Sequence, residues 1–168
     1  MTNKVPKVAV IMGSESDLPV LRGCIKLLKD FGVEVDVSVM SAHRTPDKAA
    51  EFAKNAELNG FDVIIAAAGK AAHLPGVLAA FSILPVIGIP IKSSTLDGLD
   101  SLLSIVQMPK GIPVATVAVD GAENAALLAV QILAVSNSEL RQKMKKYKIK
   151  MAEEVERKDK QVKQELGI

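Results

Sequence analysis

Short apolar runs rich in β-branched residues alternate with segments of helical periodicity, and this alternation constrains the fold of the chain more than any other feature. The predicted strands cover residues 5–12, 33–40, 63–67, 85–89 and 114–119. The predicted helices cover residues 18–31, 46–58, 73–81, 99–106 and 122–135. Because right-handed crossovers place helices on both faces of a parallel sheet, the sequence predicts an α/β fold.

Length and composition indicate one domain over residues 1–168, with a single core. Hydrophobic residues make up 49% of the chain, and a protein of this size can bury roughly 70% of its unfolded surface. The single cysteine, Cys24, has no partner for an internal disulfide. No apolar stretch reaches the ~20 residues of a bilayer span, and the first residues lack a signal-peptide pattern. We therefore expect a soluble, cytoplasmic protein with no membrane partner.

Residues 138–166 predict a long charged helix with a narrow apolar stripe. The stripe consists of Leu140, Met144, Tyr147, Met151 and Val155. Such a helix can lie back on its own domain or dock on a neighbouring subunit, and the narrow stripe favours the second interpretation. Residues 139–165 hold ten Lys and Arg against six Asp and Glu. Because the chain has no tryptophan and one tyrosine to stack on bases, we expect no nucleic-acid partner.

The first candidate site loop, residues 13–17, follows the first predicted strand. Gly13 allows close approach of the backbone to a ligand, and Ser14 and Ser16 bring hydroxyls to the start of a helix. Asp17 can accept hydrogen bonds from ribose hydroxyls, which suits a sugar phosphate better than a bare anion. An ordinary helix cap, with Ser16 or Asp17 bound to the first free amides, is the other interpretation.

The second loop, after the second predicted strand, combines a titratable ring with a fixed cation. Arg44 carries a forked set of donors that fits phosphate oxygens, and Ser41 adds a hydroxyl. His43 is suited to moving a proton near neutral pH. Thr45 is the predicted cap of the next helix, with Pro46 at its first position.

The third loop is built from small residues around the second of the two histidines in the chain. Gly69 and Ala71 leave room for a flat ligand, and we include both among the candidate substrate-binding residues. His73 is a third candidate, either as a wall of the site or as a residue held within the scaffold. The loop is not a P-loop, because Ala71 follows Lys70 where Ser or Thr would be needed. Two histidines and a distant cysteine do not predict a metal site.

Six segments of the chain carry motifs in a fixed order. They are residues 13–17 (GSESD), 41–46 (SAHRTP), 71–76 (AAHLPG), 100–109 (DSLLSIVQMP), 111–117 (GIPVATV) and 124–129 (NAALLA). Together they resemble the N5-carboxyaminoimidazole ribonucleotide mutases of purine biosynthesis. The likeness extends from about residue 8 to about residue 133.

This resemblance implies a flavodoxin-like three-layer αβα sandwich that assembles as a homo-octamer. The implied reaction moves a carboxylate from the exocyclic nitrogen of an aminoimidazole ribonucleotide to ring carbon C4, with no metal and no organic cofactor. By position, His43 corresponds to the general acid and base of the family. Ser14, Asp17 and Arg44 correspond to the residues that bind the ribose phosphate.

Lys70 departs from the family pattern, which commonly has a small residue there. Its ammonium can meet the substrate carboxylate or point to solvent, and the sequence favours solvent. Two other functions stay open. One is a carboxylase that takes free carbon dioxide, although Arg44 and residues 71–75 favour the mutase branch. The other is a non-catalytic flavodoxin-like binding module.

Overall fold

A computed structural model describes residues 4–168, in which five strands and five α-helices alternate and a sixth α-helix follows the fifth. The strands are β1 (Lys7–Met12), β2 (Glu34–Val39), β3 (Val63–Gly69), β4 (Val86–Ile91) and β5 (Ala115–Thr116). The helices are α1 (Leu18–Asp30), α2 (Pro46–Asn55), α3 (Leu74–Phe81), α4 (Leu99–Val106), α5 (Ala122–Ala134) and α6 (Ser138–Leu166). The chain divides into two compact units, with the boundary between Ala129 and Val130.

The first unit contains a parallel five-stranded sheet in the order β2-β1-β3-β4-β5. This order confirms the flavodoxin-like α/β fold. The direction of chain progress reverses between β1 and β3, and ligands of open α/β sheets bind beyond the carboxyl ends of the strands at such a point. The loops that follow β1, β2 and β3 therefore meet at one edge of the sheet.

The core of the first unit lies on both faces of the sheet. On one face, Ala9 and Ile11 of β1 and Ile64 of β3 pack in a buried cluster with residues of α2, α3 and α4. Val10 and Ile65 alternate with them on the opposite face and are also fully buried. Strands buried on both faces read as continuous apolar runs, which is why β1, β3 and β4 were recognisable from sequence.

The fifth strand is shorter than the predicted 114–119 and covers only Ala115–Thr116. The chain stays beside β4 after this point, since the Val117 amide donates to the Gly88 carbonyl at 3.2 Å and the Asp120 amide donates to the Pro90 carbonyl at 2.8 Å. Pro90 accepts this hydrogen bond but has no N–H with which to donate one, so the regular ladder of hydrogen bonds beside β4 ends here.

The second unit, Val130–Ile168, contains the end of α5 and all of α6. The side chain of Asn137 accepts a hydrogen bond from the Leu140 amide and caps α6, and Gly167 ends it in a left-handed conformation. Leu140 and Met144 are buried, whereas Met151 and Val155 are 49% and 66% exposed. The predicted helix is therefore confirmed, and two of the five residues of its predicted apolar stripe, Met151 and Val155, face water. Among residues 4–168, no helix is long and apolar enough to cross a bilayer.

Candidate active site

A cavity of about 750 Å³ lies at the carboxyl ends of β1, β3, β2 and β4. All nine residues predicted from sequence to act in catalysis or substrate binding line it. They are Ser14, Ser16, Asp17, Ser41, His43, Arg44, Gly69, Ala71 and His73. The structure thus brings the three predicted loops together, and the role of each residue in catalysis or binding stays a prediction.

The loop after β1 forms a short 3-10 turn before α1. The Ser14 hydroxyl oxygen accepts the Ser16 hydroxyl hydrogen at 2.9 Å and the Ser16 amide at 3.3 Å, so Ser14 caps this turn. Asp17 occupies the capping position of α1 but makes no capping hydrogen bond with its side chain. The side-chain cap is therefore made by Ser14, which the helix-cap interpretation did not name; Asp17 makes none, and its carboxylate lines the cavity.

Asp17 is a buried carboxyl group without an ion pair among residues 4–168. Its side chain is bonded to the Ser16 hydroxyl at 3.4 Å. Burial raises the pKa of Asp17 from its ordinary value of 3.8, and the negative charge of Asp120 raises it further, while hydrogen bonds from Ser14 and Ser16 oppose the shift. A cavity that holds such a group is suited to a ligand with hydroxyl donors.

The loop after β2 is closed by two reciprocal hydrogen bonds between Ser41 and Thr45. The Thr45 hydroxyl oxygen accepts the Ser41 amide at 2.9 Å, and the hydroxyl donates to the Ser41 carbonyl at 3.0 Å. Thr45 is the N-cap residue of α2 and Pro46 begins the helix, as predicted, but the Thr45 side chain makes no capping hydrogen bond because its hydroxyl is committed to Ser41. The Ser41 hydroxyl oxygen in turn accepts the amides of His43 at 3.3 Å and Arg44 at 3.2 Å. This network fixes the backbone that carries the imidazole and the guanidinium.

The two histidines of the chain are hydrogen-bonded to each other inside the cavity. His43 Nε2 lies 2.8 Å from His73 Nδ1, and the rings meet edge to face with their centroids 4.9 Å apart. One nitrogen must donate and the other accept, so a proton gained by either ring can pass along a single hydrogen bond. Both rings are exposed to the cavity. His73 thus lines the cavity and is also hydrogen-bonded to His43. The two interpretations of His73, a wall of the site and a residue held within the scaffold, are therefore compatible with each other.

The loop after β3 brings small residues and one lysine to the cavity. Gly69 packs near Ile91, where an added Cβ would lie 3.5 Å from the Ile91 carbonyl oxygen. Lys70 has a φ of 55°, in the left-handed region that side chains rarely adopt. Lys70 is exposed and is one of the residues that line the cavity, beside Gly69 and Ala71; the direction of its ammonium stays a prediction.

Sequence reasoning missed a fourth loop, which follows β4. Ile91, Lys92, Ser93 and Ser94 also line the cavity. The Lys92 ammonium pairs with Asp97 at 3.3 Å, and the Ser93 hydroxyl donates to the Asp100 carboxylate at 2.9 Å. The run of polar residues directly after an apolar strand was the signal that could have identified this loop.

The donors in the cavity suit an anionic organic ligand better than a metal ion. Arg44, Lys70 and Lys92 bring cations, and Asp17 is the carboxylate among the lining residues. Within the part of the chain that the structure describes, no three His, Cys, Asp or Glu side chains are grouped closely enough to hold a metal ion.

Comparison with known proteins relates this chain to one family. The model of the AIR carboxylase family matches residues 7–154. The chain is 55% identical over 167 residues to the N5-carboxyaminoimidazole ribonucleotide mutase of Pyrococcus horikoshii, covering 99% of this chain and 94% of that protein. It is also 55% identical over 150 residues to the phosphoribosylaminoimidazole carboxylase of Saccharomyces cerevisiae, covering 89% of this chain and 26% of the yeast protein.

Solved structures agree with this relationship. The crystal structure of Treponema denticola PurE superposes with a TM-score of 0.84 at 30% identity, covering 94% of this chain and 99% of that one. The sheet order, the ordered motifs and these similarities lead to one conclusion: the chain belongs to the AIR carboxylase family.

Proposed function

We propose that this chain converts N5-carboxyaminoimidazole ribonucleotide to 4-carboxyaminoimidazole ribonucleotide in purine biosynthesis. The observation that carries the proposal is the hydrogen-bonded pair of His43 and His73, 2.8 Å apart, in a cavity that also presents Arg44 and Asp17. The reaction needs one proton donated and one removed, and the substrate is an anionic ribotide. The pair and its neighbours supply groups for both requirements.

In this proposal the ribose phosphate binds at the loops after β1 and β2. Arg44 offers forked donors to phosphate oxygens, with Ser14, Ser16 and Ser41 nearby in the same cavity. Asp17 accepts hydrogen bonds from the ribose hydroxyls. These donors stabilise its buried carboxylate, which forms no ion pair with any residue from 4 to 168. These contacts place the aminoimidazole ring toward the histidines and the loop after β3.

His43 is proposed to move the protons. It first protonates the exocyclic nitrogen, so that the bond between nitrogen and the carboxylate breaks, its electron pair stays on nitrogen, and carbon dioxide is released. Ring carbon C4 then donates an electron pair to carbon dioxide and forms the new carbon–carbon bond. His43, now neutral, removes the proton from the tetrahedral C4. Such general acid and base catalysis contributes ~10² to 10⁴-fold to the rate.

Gly69, Ala71 and His73 are proposed to form the wall that keeps carbon dioxide near C4. Small side chains leave room for a molecule of three atoms, and Ala68 and Leu74 add apolar surface to the same cavity. Confinement replaces a second encounter in solution, so that both steps occur in one binding event.

The test of the proposed function compares two substrates. Purified protein is incubated with N5-carboxyaminoimidazole ribonucleotide alone, and separately with aminoimidazole ribonucleotide plus bicarbonate, while the carboxylated product is followed by its absorbance. A mutase forms product from the first substrate without bicarbonate. Product from the second mixture alone would identify a carboxylase that uses free carbon dioxide, and ribotide binding without product would identify a binding module.

The matched variant is His43→Asn, which keeps a hydrogen-bonding side chain but cannot cycle a proton. We expect turnover to fall by about 10³-fold, within the range of general acid and base effects, while the ribotide still binds. Steady-state kinetics and calorimetry measure the two quantities separately. Near-normal turnover of this variant would remove His43 from its proposed role.

We further propose that the chain works as a homo-octamer in the cytoplasm. Self-association is supported by an apolar row on α4, where Leu99, Leu103 and Val106 are each about half exposed. Exposed apolar rows of this kind are typical of protein interfaces. The exposed part of the α6 stripe, Met151 and Val155, is a second such surface, and we assign it to a neighbouring subunit. The free thiol of Cys24 is buried and suits a reducing compartment.

A further inference from the structure

Lys70 is held in a backbone conformation that a lysine adopts only at a cost. Its φ of 55° lies in the left-handed region, where glycine is free of strain and a residue with a Cβ is not. Non-glycine residues in such conformations concentrate at functional sites, where the side chain has a use that offsets the strain. The left-handed φ of Lys70 therefore points to a use for its side chain.

The Lys70 ammonium has no carboxylate partner. Lys70 lines the cavity, and it makes no ion pair with any residue from 4 to 168. Lys92 lines the same cavity but is paired with Asp97 at 3.3 Å. Lys70 therefore differs from Lys92 in having its charge available to an anion in the cavity.

Lys70 lies directly after β3, and this position relative to Arg44 suits a ligand with two separate anionic groups. Arg44 follows β2 and Lys70 follows β3, and β1 lies between these two strands. Strands two places apart are separated by about 10 Å. The ring of His43 reaches across from the β2 loop to His73 on the β3 loop. The hydrogen-bonded histidine pair thus joins the two loops that carry these two cations.

We infer that Lys70 binds the carboxylate that is transferred, and so makes the site prefer carboxylated ribotides to uncarboxylated aminoimidazole ribonucleotide. This inference rests on the proposed function, which supplies a phosphate for Arg44 at one end and a carboxylate at the other. The ammonium contacts the carboxylate before and after transfer, since both carboxylated ribotides carry it on the imidazole side of the molecule. Lys70 is therefore a specificity-determining residue.

The experiment measures two affinities for each variant by calorimetry, one for 4-carboxyaminoimidazole ribonucleotide and one for aminoimidazole ribonucleotide. Lys70→Met keeps the length of the side chain and removes its charge. We expect affinity for the carboxylated ribotide to fall about tenfold or more, as for loss of a charge-assisted hydrogen bond. Affinity for the uncarboxylated ribotide should be unchanged. The control is Lys110→Met, which removes an exposed lysine outside the cavity and should leave both affinities unchanged.

A second variant separates the side chain from the backbone. Lys70→Gly relieves the left-handed strain, so we expect a higher melting temperature together with the same loss of affinity for the carboxylated ribotide. If both affinities fall alike, or if neither falls, Lys70 does not recognise the carboxylate and the inference is wrong while the proposed function stands. If the unmodified chain binds neither ribotide, the proposed function itself fails and the inference fails with it.

Discussion

At the scale of single residues, the site combines groups that would be unfavourable without a ligand. Asp17 is only 6% exposed and has a raised pKa. Lys70 occupies a left-handed conformation. Burial of the Asp17 carboxyl and the left-handed backbone of Lys70 are both unfavourable for folding. If Asp17 and Lys70 have the ribotide-binding roles proposed above, stability and activity oppose each other at these two positions.

The carboxyl group of Asp17 gives a pH-dependent test of this opposition. Because burial raises its pKa above 3.8 in the folded chain, its contribution to stability is fully present below that ordinary value and is lost as the pH rises through the raised pKa. We expect Asp17→Asn to increase the free energy of unfolding at pH 7, and we expect this gain to disappear as the pH falls toward 3.8. Urea denaturation at several pH values measures the gain.

Asp47→Asn is the control for this experiment, because Asp47 is an exposed acid in the first turn of α2. Its loss should produce no gain at neutral pH, since an acid at a helix N-terminus interacts favourably with the helix dipole. A pH-independent gain in Asp17→Asn would contradict the assignment to the buried charge. Ribotide turnover should fall in this variant even as stability rises.

At the scale of elements, the loop from Ser41 to Thr45 is a short segment whose internal hydrogen bonds fix the backbone of His43 and Arg44. Thr45 is not among the residues that line the 750 Å³ cavity, although it lines an adjoining one beside Ser41 and Arg44, and its hydroxyl makes both side-chain hydrogen bonds that close the loop on Ser41. Ser41 then holds the amides of His43 and Arg44. We therefore expect Thr45 to position His43 and Arg44 through Ser41.

We expect Thr45→Val to lower kcat about tenfold or more with a smaller effect on ribotide binding. The variant keeps the β-branched shape but loses both hydroxyl contacts, and a small displacement of a catalytic group has a large effect on rate. Thr45→Ser retains the hydroxyl and should restore most of the activity. The kinetic constants of the two variants measure the effect. Equal losses in both would assign the role of Thr45 to packing instead.

The fold was predictable from the sequence where apolar periodicity was strong. The helices α4 and α6 have the predicted bounds, and β1 and β3 differ from prediction by at most two residues at either end. The strand β4 extends to Ile91, beyond the predicted end at residue 89, because Pro90 is accommodated within the strand. A proline is usually read as the end of a strand. The loop that begins after β4 was consequently not identified.

The location of the candidate site was also predictable from the sequence, whereas two of its structural features were not. Residues at the carboxyl ends of strands could be assigned to one edge of the sheet, because parallel strands share their direction. The contact between His43 and His73 could not, since it depends on side-chain positions in two loops separated by thirty residues. The left-handed conformation of Lys70 could not be predicted from the sequence either, because its neighbours Gly69 and Ala71 are equally compatible with an ordinary turn.

At the scale of the whole molecule, the exposed part of the α6 stripe is the main test of assembly. We expect Met151→Lys combined with Val155→Lys to lower the mass measured by light scattering and to lower the melting temperature. Both residues are exposed in the single chain, so the substitutions disturb its own packing little. Burial of the two side chains against a neighbour would be lost, at roughly 1.5–3 kcal/mol for each fully buried side chain.

Lys150→Gln on the same helix is the control for this experiment, because Lys150 is exposed and polar. It should leave both the mass and the melting temperature unchanged. An unaltered mass in the doubly substituted protein would show that the distal part of α6 has no role in assembly. The proposal of a subunit contact through this stripe would then have to be abandoned.

Among residues 4–168, every residue that lines the cavity falls between Gly13 and Ser94. The later portion of the polypeptide, including α6, contributes no cavity-lining side chain from this subunit. Substitutions in residues 95–168 therefore change no side chain that lines this cavity, so we expect them to alter the stability or the outer surface of the protein before they alter the groups that face a ligand.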